Sequence, residues 1–558
     1  LGLVLVPSAL TEGVLAQNAL TQDALNQAQV FTLSDVKKGQ EGYALTAGAG
    51  NAIQRFNVRV EDLLSEQGQR FPYILIRASG PLIDAAGGIA AGMSGSPVYL
   101  DGRLAGAISA GFPESDGRLG LVTPIEFMQR AVQRSTNSVV SRFGLEGLGP
   151  LARPRFGLTH PQYGRAVPLS APLLLSGLSG RAGNKLTQLL QARGIRSVSV
   201  PTQTRAATTT LERPYKLEPG AAISAQLVTG DLVIGAVGTL TYQEGRNIVA
   251  FGHPVLGDVR ARYAAAPAYV NAIVASRQIP FKLAENVGKP FGTFLTDRPY
   301  GLGGTVGTDP GFLPFEVVVR HGGQARTLRV SIAPVESFLG ALTEIVALSA
   351  LETGLEGTGP GLATIGWTFS FTDRDPVTVR DRVADAYDIT SLVAFRAAIA
   401  VALVAENPFR TPGLRGVRLT IDLAPFALTR LVRVEPEART VKPGQTIGLN
   451  VRLQPYRAAP VVRRVAVKIP DDAPVGSFRL TVRGGLTPRN EVGQGSRDAF
   501  DGLLTFEELL ERLRNRISGE NVLVETQPNG SSLPSILAVE AQSAPVSGLI
   551  PLELTVVK

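Results

Sequence analysis

Apolar and polar positions alternate along this chain in short runs that turn residues interrupt. In residues 30–135 these runs are Tyr43-Ala44-Leu45, Phe56-Asn57-Val58-Arg59-Val60, Tyr73-Ile74-Leu75-Ile76, Val98-Tyr99-Leu100 and residues 104–109. Strands this short at this spacing predict a small barrel or sandwich, and residues 127–133 read as a helix closing the lobe. Runs such as Ile223-Ser224-Ala225-Gln226-Leu227-Val228 and Leu232-Val233-Ile234-Gly235-Ala236-Val237 predict a second β-lobe over residues 218–310. Between the lobes, residues 136–217 hold a glycine- and proline-rich connector, 142–168, then a strand at 172–178 and a helix at 184–192, an α/β insertion.

The pattern changes after residue 311. Residues 315–319 and 327–332 read as a hairpin, and helical stretches at 338–351 and 391–406 bracket a strand around Trp367, so 311–414 is an α+β region. The apolar run 392–404 contains Arg396 and is too short to span a bilayer, which predicts a buried helix. Residues 415–485 alternate tightly and include Val441-Lys442-Pro443-Gly444-Gln445-Thr446, a turn and strand opening of the kind found in immunoglobulin-like sandwiches. In the last segment, 486–558, Thr505 and Glu508 form a capping box ahead of a leucine-bearing helix.

At 558 residues the chain exceeds what one hydrophobic core organises. With 44% hydrophobic and 18% charged residues it is not a disordered chain, and 61 glycines with 38 prolines favour a turn-rich β architecture. The absence of cysteine excludes disulfides, thiolate metal sites and cysteine nucleophiles, and no phosphate loop, dinucleotide fingerprint or metal cluster stands in the sequence, so no cofactor is expected. The net charge of +8 is spread along the chain. Its densest cluster, Arg457, Arg463, Arg464 and Lys468, alternates with valines as a solvated strand face would and lacks interleaved aromatics, which argues against nucleic acid. Attraction to an acidic cell-envelope surface remains compatible with it. Residues 1–29 open on an apolar stretch that ends in Val14-Leu15-Ala16, as the remainder of a secretory signal would. Pro7 and Glu12 break it, so export to the periplasm, cell envelope or exterior is expected rather than a membrane anchor.

The chemistry concentrates at Gly92-Met93-Ser94-Gly95-Ser96-Pro97. A hydroxyl becomes a nucleophile when a base takes its proton, and the oxyanion it creates needs fixed N–H donors. Glycines on both sides of Ser94 allow such a turn to approach a substrate, although a plain β-turn between strands accounts for the same residues. The stretch 39–128, above all Gly87-Gly88-Ile89-Ala90-Ala91-Gly92-Met93-Ser94-Gly95-Ser96-Pro97-Val98-Tyr99-Leu100-Asp101-Gly102, resembles the SpoIVB family of serine peptidases, peptidase family S55. Gly238-Thr239-Leu240-Thr241-Tyr242 with Ile248-Val249-Ala250-Phe251-Gly252-His253-Pro254 is similar to that family's histidine segment.

The resemblance implies an exported serine endopeptidase on a chymotrypsin-like double β-barrel. Ser94 would be the nucleophile, His253 the base, and the Gly92 and Ser94 amides the oxyanion hole. In the family the histidine segment comes first, so here the halves stand in permuted order. The family's aspartate, fifteen residues before its serine, corresponds to Ser79, and Asp84 is out of register. A carboxylate to orient the imidazole is then sought near His253, at Asp258 or at Asp297, whose interval from the histidine is like that of chymotrypsin-like enzymes. His160 and His321 read as solvated loop residues. The expected partner is a protein or peptide substrate. The contrasting expectation is a non-catalytic envelope protein that keeps the peptidase scaffold for binding.

Overall fold

The computed structural model describes residues 30–65, 71–113, 115–132, 158–169, 171–192, 197–201, 215–257, 259–276, 279–286, 289–354, 359–487, 500, 502–527 and 535–558. The expected leader, Asp258 and most of the 142–168 connector lie outside these residues. Strands make up 51% and helices 17%, so the fold is mainly β.

The first lobe is a closed six-stranded barrel. It comprises β1 (Glu41–Ala47), β2 (Ile53–Leu64), β3 (Tyr73–Ser79), helix α1 (Pro81–Ala86), β4 (Pro97–Leu100), β5 (Arg103–Gly111) and β6 (Leu119–Pro124). The strands run in the order β4-β1-β2-β3-β6-β5, and β4 pairs with β5 to shut the ring. Along β2, Phe56, Val58 and Val60 are buried while Arg55, Asn57 and Arg59 face water, the period of two that a half-buried strand imposes. Their partners in the core include Ile74, Ile76, Met93, Val98, Ile108 and Val122. The closing helix expected at 127–133 begins two residues earlier, as one α-helical turn at Ile125–Met128 followed by a 3₁₀ turn at Gln129–Ala131, and residue 133 lies outside the described residues.

A second closed barrel follows. It comprises β7 (Ala222–Gly230), β8 (Val233–Glu244), β9 (Asn247–Ala250), β10 (Val259–Val274), β12 (Gly292–Arg298) and β13 (Gly301–Val306). Its order is β8-β9-β13-β12-β10-β7, closed by the pairing of β7 with β8. Strand β11 (Phe281–Asn286) lies off the ring, paired to β10. Small side chains allow these strands to be covered on both faces: Ala264, Ala265, Ala266 and Ala268 of β10 are all buried. The α/β insertion hangs on this barrel, because its strand Ala171–Ser176 pairs antiparallel with β8 and parallel with Ser197–Pro201.

The sheet continues from β7 through the hairpin Leu313–His321 and Gln324–Ile332 into the strands Leu414–Ala424, Gly361–Phe371 and Val377–Asp385. Helices Glu336–Gly354 and Ile389–Ala405 pack over it around Trp367, in one core with the second barrel. The second helix is the apolar run read from sequence; Asp388 caps the Ser391 amide at 3.1 Å, and Arg396 pairs with Asp381 at 3.7 Å. No described helix is long and apolar enough to cross a membrane. The strand Leu414–Ala424 pairs with Leu313–His321 and Gly361–Phe371, so the large sheet runs through the boundary expected at 415.

Beyond it, two further sheets share one core built on Leu449, Val451, Val467, Leu480, Val482 and Val524. The strand Leu549–Val556 completes one of them, so this core recruits the end of the chain rather than stopping at residue 485. The capping box at Thr505 and Glu508 forms as its pattern predicts. Within the basic cluster, Arg464 is paired with Glu437 and Lys468 with Asp471, which disperses the positive patch.

The two barrels dock through the turn that carries Ser94. Gly95 has φ +90°, and a Cβ there would collide with the Thr239 carbonyl oxygen and stand 2.5 Å from the Phe251 amide nitrogen. Only glycine satisfies both the backbone angle and the approach. Gly95→Ala is therefore expected to destabilise the protein by about 2 kcal/mol or more, read as a lowered midpoint in chemical denaturation. A midpoint equal to that of the parent would show that the docking tolerates a side chain.

Candidate functional site

The serine turn follows α1 and enters β4 as a sequence of tight backbone reversals, with Gly92 at φ +88° and Gly95 at φ +90°. Three of its amides are engaged: Met93 N donates to Ala90 O, Gly95 N to Ile108 O and Ser96 N to Met93 O. Among the described residues, the amides of Gly92 and Ser94 donate to nothing. Two free N–H groups flanking a serine are the donors that an oxyanion requires.

Barrel two grips this turn from β8. Thr239 N donates to Ser94 O at 2.8 Å, Thr239 Oγ1 to Gly92 O at 3.0 Å, and Thr241 Oγ1 to Gly95 O at 2.7 Å. The pairing of β8 with β9 slips between Leu240 and Tyr242, and such a bulge re-aims the intervening side chain, here Thr241. Thr123 of β6 donates to Gly252 O at 2.8 Å, tying barrel one to the segment that precedes His253.

His253 follows β9 through two left-handed residues, Phe251 at φ +68° and Gly252 at φ +67°. A buried aromatic residue in that region is a strained conformation that the surrounding packing holds in place. The Phe251 ring occupies the space that a side chain at Gly238 would need. His253 is 3% exposed. Its Nδ1 lies 2.8 Å from Pro254 O; a carbonyl only accepts, so Nδ1 carries the proton and Nε2 presents its lone pair. Nε2 has no hydrogen-bond partner, and burial pushes the imidazole pKa down to about 4.

Asp297 lies in barrel two beside the histidine loop, but its carboxylate is bonded elsewhere. Oδ1 accepts from Val255 N at 2.9 Å, while Oδ2 accepts from Leu256 N at 2.7 Å, Gly257 N at 3.3 Å and Tyr263 Oη at 2.9 Å. The expected orientation of the imidazole by a carboxylate is thus supplied by the Pro254 carbonyl, and Asp297 fixes the loop that follows. Burial raises its pKa to about 6 against the lowering effect of these donors. Ser79, at the family's aspartate position, is exposed at the end of β3, and Asp84 pairs with Arg118 on the surface.

Ser94 is 0% exposed, and its Oγ has no hydrogen-bond partner. The serine hydroxyl and the imidazole Nε2 are therefore both buried, both unpaired and not bonded to one another. The turn is covered from barrel two: Ala91 N donates to Pro280 O at 2.7 Å, and Lys282 N donates to Ala91 O at 2.9 Å. His160, by contrast, stacks on Tyr163 in a short hairpin, and His321 is exposed at the end of the strand Leu313–His321.

Sequence reasoning missed Lys282, which is buried, and the threonines of β8. Lys282 alternates with Phe281 and Leu283 in a short strand, a pattern that places a lysine on the polar face, so no local signal marks its burial. Thr239 and Thr241 lay inside the quoted histidine segment without a role.

The two buried ionisable groups near this loop act on stability in opposite directions. Neutral His253 contributes stability that is present above pH 6.5 and is lost as pH falls through about 4. Asp297 contributes stability that is present below pH 3.8 and is lost as pH rises through about 6. In denaturation measured from pH 4 to 6.5, the stability difference between parent and His253→Gln is expected to change in the parent's favour by on the order of 3 kcal/mol as pH rises. The difference between parent and Asp297→Asn is expected to move the other way. A difference that does not vary with pH would place the corresponding group in contact with water.

The SpoIVB peptidase S55 family model matches residues 10–128, the segment containing the whole serine turn and ending before β8 and His253. Searches of the curated proteins and of the solved structures returned no match.

Proposed function

We propose that this chain, whose residues 10–128 form a SpoIVB-type S55 segment, is an exported serine endopeptidase that cleaves peptide bonds through Ser94. The single observation that carries the reading is the pair of undonated amides, Gly92 N and Ser94 N, at Ser94, whose hydroxyl, like that of Ser96, is unpaired. An N–H left without a partner in a dry environment costs free energy, so such a pair is kept where a ligand satisfies it. Ser94 Oγ attacks the substrate carbonyl and the two amides hold the resulting oxyanion. His253 Nε2 takes the serine proton and returns it to the leaving amine, with Nδ1 anchored on Pro254 O. Asp297 acts on the histidine loop through its three amide contacts.

In the structure the site is closed. A substrate reaches Ser94 only after the residues around Pro280 and Lys282 separate from Ala91. The protein or peptide substrate thus replaces a backbone pairing that the chain makes with itself. Periplasm, cell envelope or exterior is the compartment that the leader-like residues 1–15 support.

The burial of Ser94 and His253 without a bond between them also favours a second reading, a scaffold that binds an envelope partner without catalysis. Reaction of the full-length protein with a fluorophosphonate probe, followed by peptide mapping, separates the two. The parent is expected to be labelled at Ser94, and Ser94→Ala to lose labelling and any self-cleavage while its melting behaviour stays unchanged. Ser96→Ala is expected to retain most labelling. Equal labelling of Ser94→Ala and parent would remove Ser94 as the nucleophile.

A further inference from the structure

Lys282 is 0% exposed in the middle of the interface between the barrels. A buried lysine ordinarily has a carboxylate beside it, since an isolated ammonium is costly to desolvate. Here, among the described residues, no carboxylate lies within ion-pair distance. The elements packed around it, β1, β8, β10, the serine turn and the strand Ala171–Ser176, offer its amine two hydroxyls. Nζ donates to Thr46 Oγ1 at 2.7 Å and to Thr239 Oγ1 at 3.3 Å. Thr239 Oγ1 is committed as a donor to Gly92 O, so towards Lys282 it serves as acceptor.

That inventory fits a neutral amine. A neutral –NH2 has two N–H donors, both used here, and one lone pair, which remains; an ammonium would carry a third, unmatched N–H. Desolvation alone lowers the Lys282 pKa to about 7. An amine so tuned is a base near neutral pH, whereas His253 is a much weaker one in the same dry environment.

The placement is equally specific. A Cβ at Gly92 would stand 3.2 Å from both Cβ and Cδ of Lys282, so the lysine stem lies directly on the turn that bears Ser94. One residue, Thr239, holds both partners: its amide binds Ser94 O and its hydroxyl binds Lys282 Nζ.

We propose that Lys282 is a second proton acceptor for Ser94, so that activation of the serine does not depend on His253 alone. The inference rests on the reading of Ser94 as nucleophile. When Ala91 is released, the amine lone pair accepts the Ser94 Oγ–H proton while the Oγ–C bond forms. As the C–N bond breaks, the ammonium returns that proton to the leaving amine nitrogen. A water then attacks the acyl carbon and gives its proton to the amine, which passes it to Ser94 Oγ as the ester bond breaks.

The test is the rate of Ser94 labelling by a fluorophosphonate from pH 4 to 9, in the full-length parent, Lys282→Met and His253→Gln. The parent rate is expected to rise through a limb near pH 7. That limb is expected to persist in His253→Gln and to vanish in Lys282→Met, with a loss of about a hundredfold at pH 8. Thermal melting checks that Lys282→Met is folded; Lys282→Gln, which keeps donors for both threonines but has no titrating amine, reads the same point if it is not. Labelling by either folded variant at the parent rate, with the limb intact, overturns the role of Lys282 alone. A limb lost in His253→Gln and kept in the lysine variants assigns the proton to the imidazole and likewise overturns it. Failure of the parent to label at any pH overturns the nucleophile together with its base.

Discussion

The fit of a glycine-flanked turn against one strand of the neighbouring barrel is the constraint on which the rest of this structure depends. Ser94 O, Gly92 O and Gly95 O all accept hydrogen bonds from Thr239 and Thr241, so the serine turn is held by its backbone carbonyls rather than by its side chains. Such bonds each contribute little net stability, but losing one inside a dry interface leaves an unpaired polar group. The arrangement is therefore strict about geometry. It requires the bulge that aims Thr241, the left-handed pair Phe251–Gly252, and the missing side chains at Gly95 and Gly238.

Excluding water from that contact sets the chemistry of everything near it. The histidine, the lysine and the aspartate each bear a shifted pKa for which burial is the first cause, and in all three the neutral form gains. Two of these groups then present unprotonated nitrogen near neutral pH, the state in which a base functions. The same exclusion closes the turn behind the pairing of Ala91 with Pro280 and Lys282. On the proposed reading, a site that keeps its bases neutral by burial must open to work, and a backbone pairing is an interaction that another extended chain can replace.

Much of the architecture was legible from alternation. The two β-lobes, the intervening strand and helix, the buried helix Ile389–Ala405 and the capping box at Thr505 follow from patterns that local sequence carries, because strand and helix periodicity report which face a segment buries. The capacity of the lobes to close into six-stranded rings was less visible, since closure depends on pairings such as β4 with β5 and β7 with β8. The division at 415 was not legible at all. A strand looks alike in sequence whether it joins the sheet before it or the sheet after it, and Leu414–Ala424 joins the earlier one by parallel pairing with a strand about a hundred residues away.

At the site, the sequence by itself determined the residue types: a serine between glycines, a histidine after a strand, and the absence of cysteine. Those are local properties, legible because a turn of this kind tolerates few alternatives. Tertiary structure alone decided the partners. Asp297 is close to the histidine loop yet satisfies its amides, Pro254 O holds the imidazole, and Lys282 arrives at Gly92 from a strand that sequence reading had passed over. The physical reason is that hydrogen bonds and desolvation depend on distances of a few ångströms between segments remote in the chain. No local pattern encodes those distances until both barrels have closed and docked.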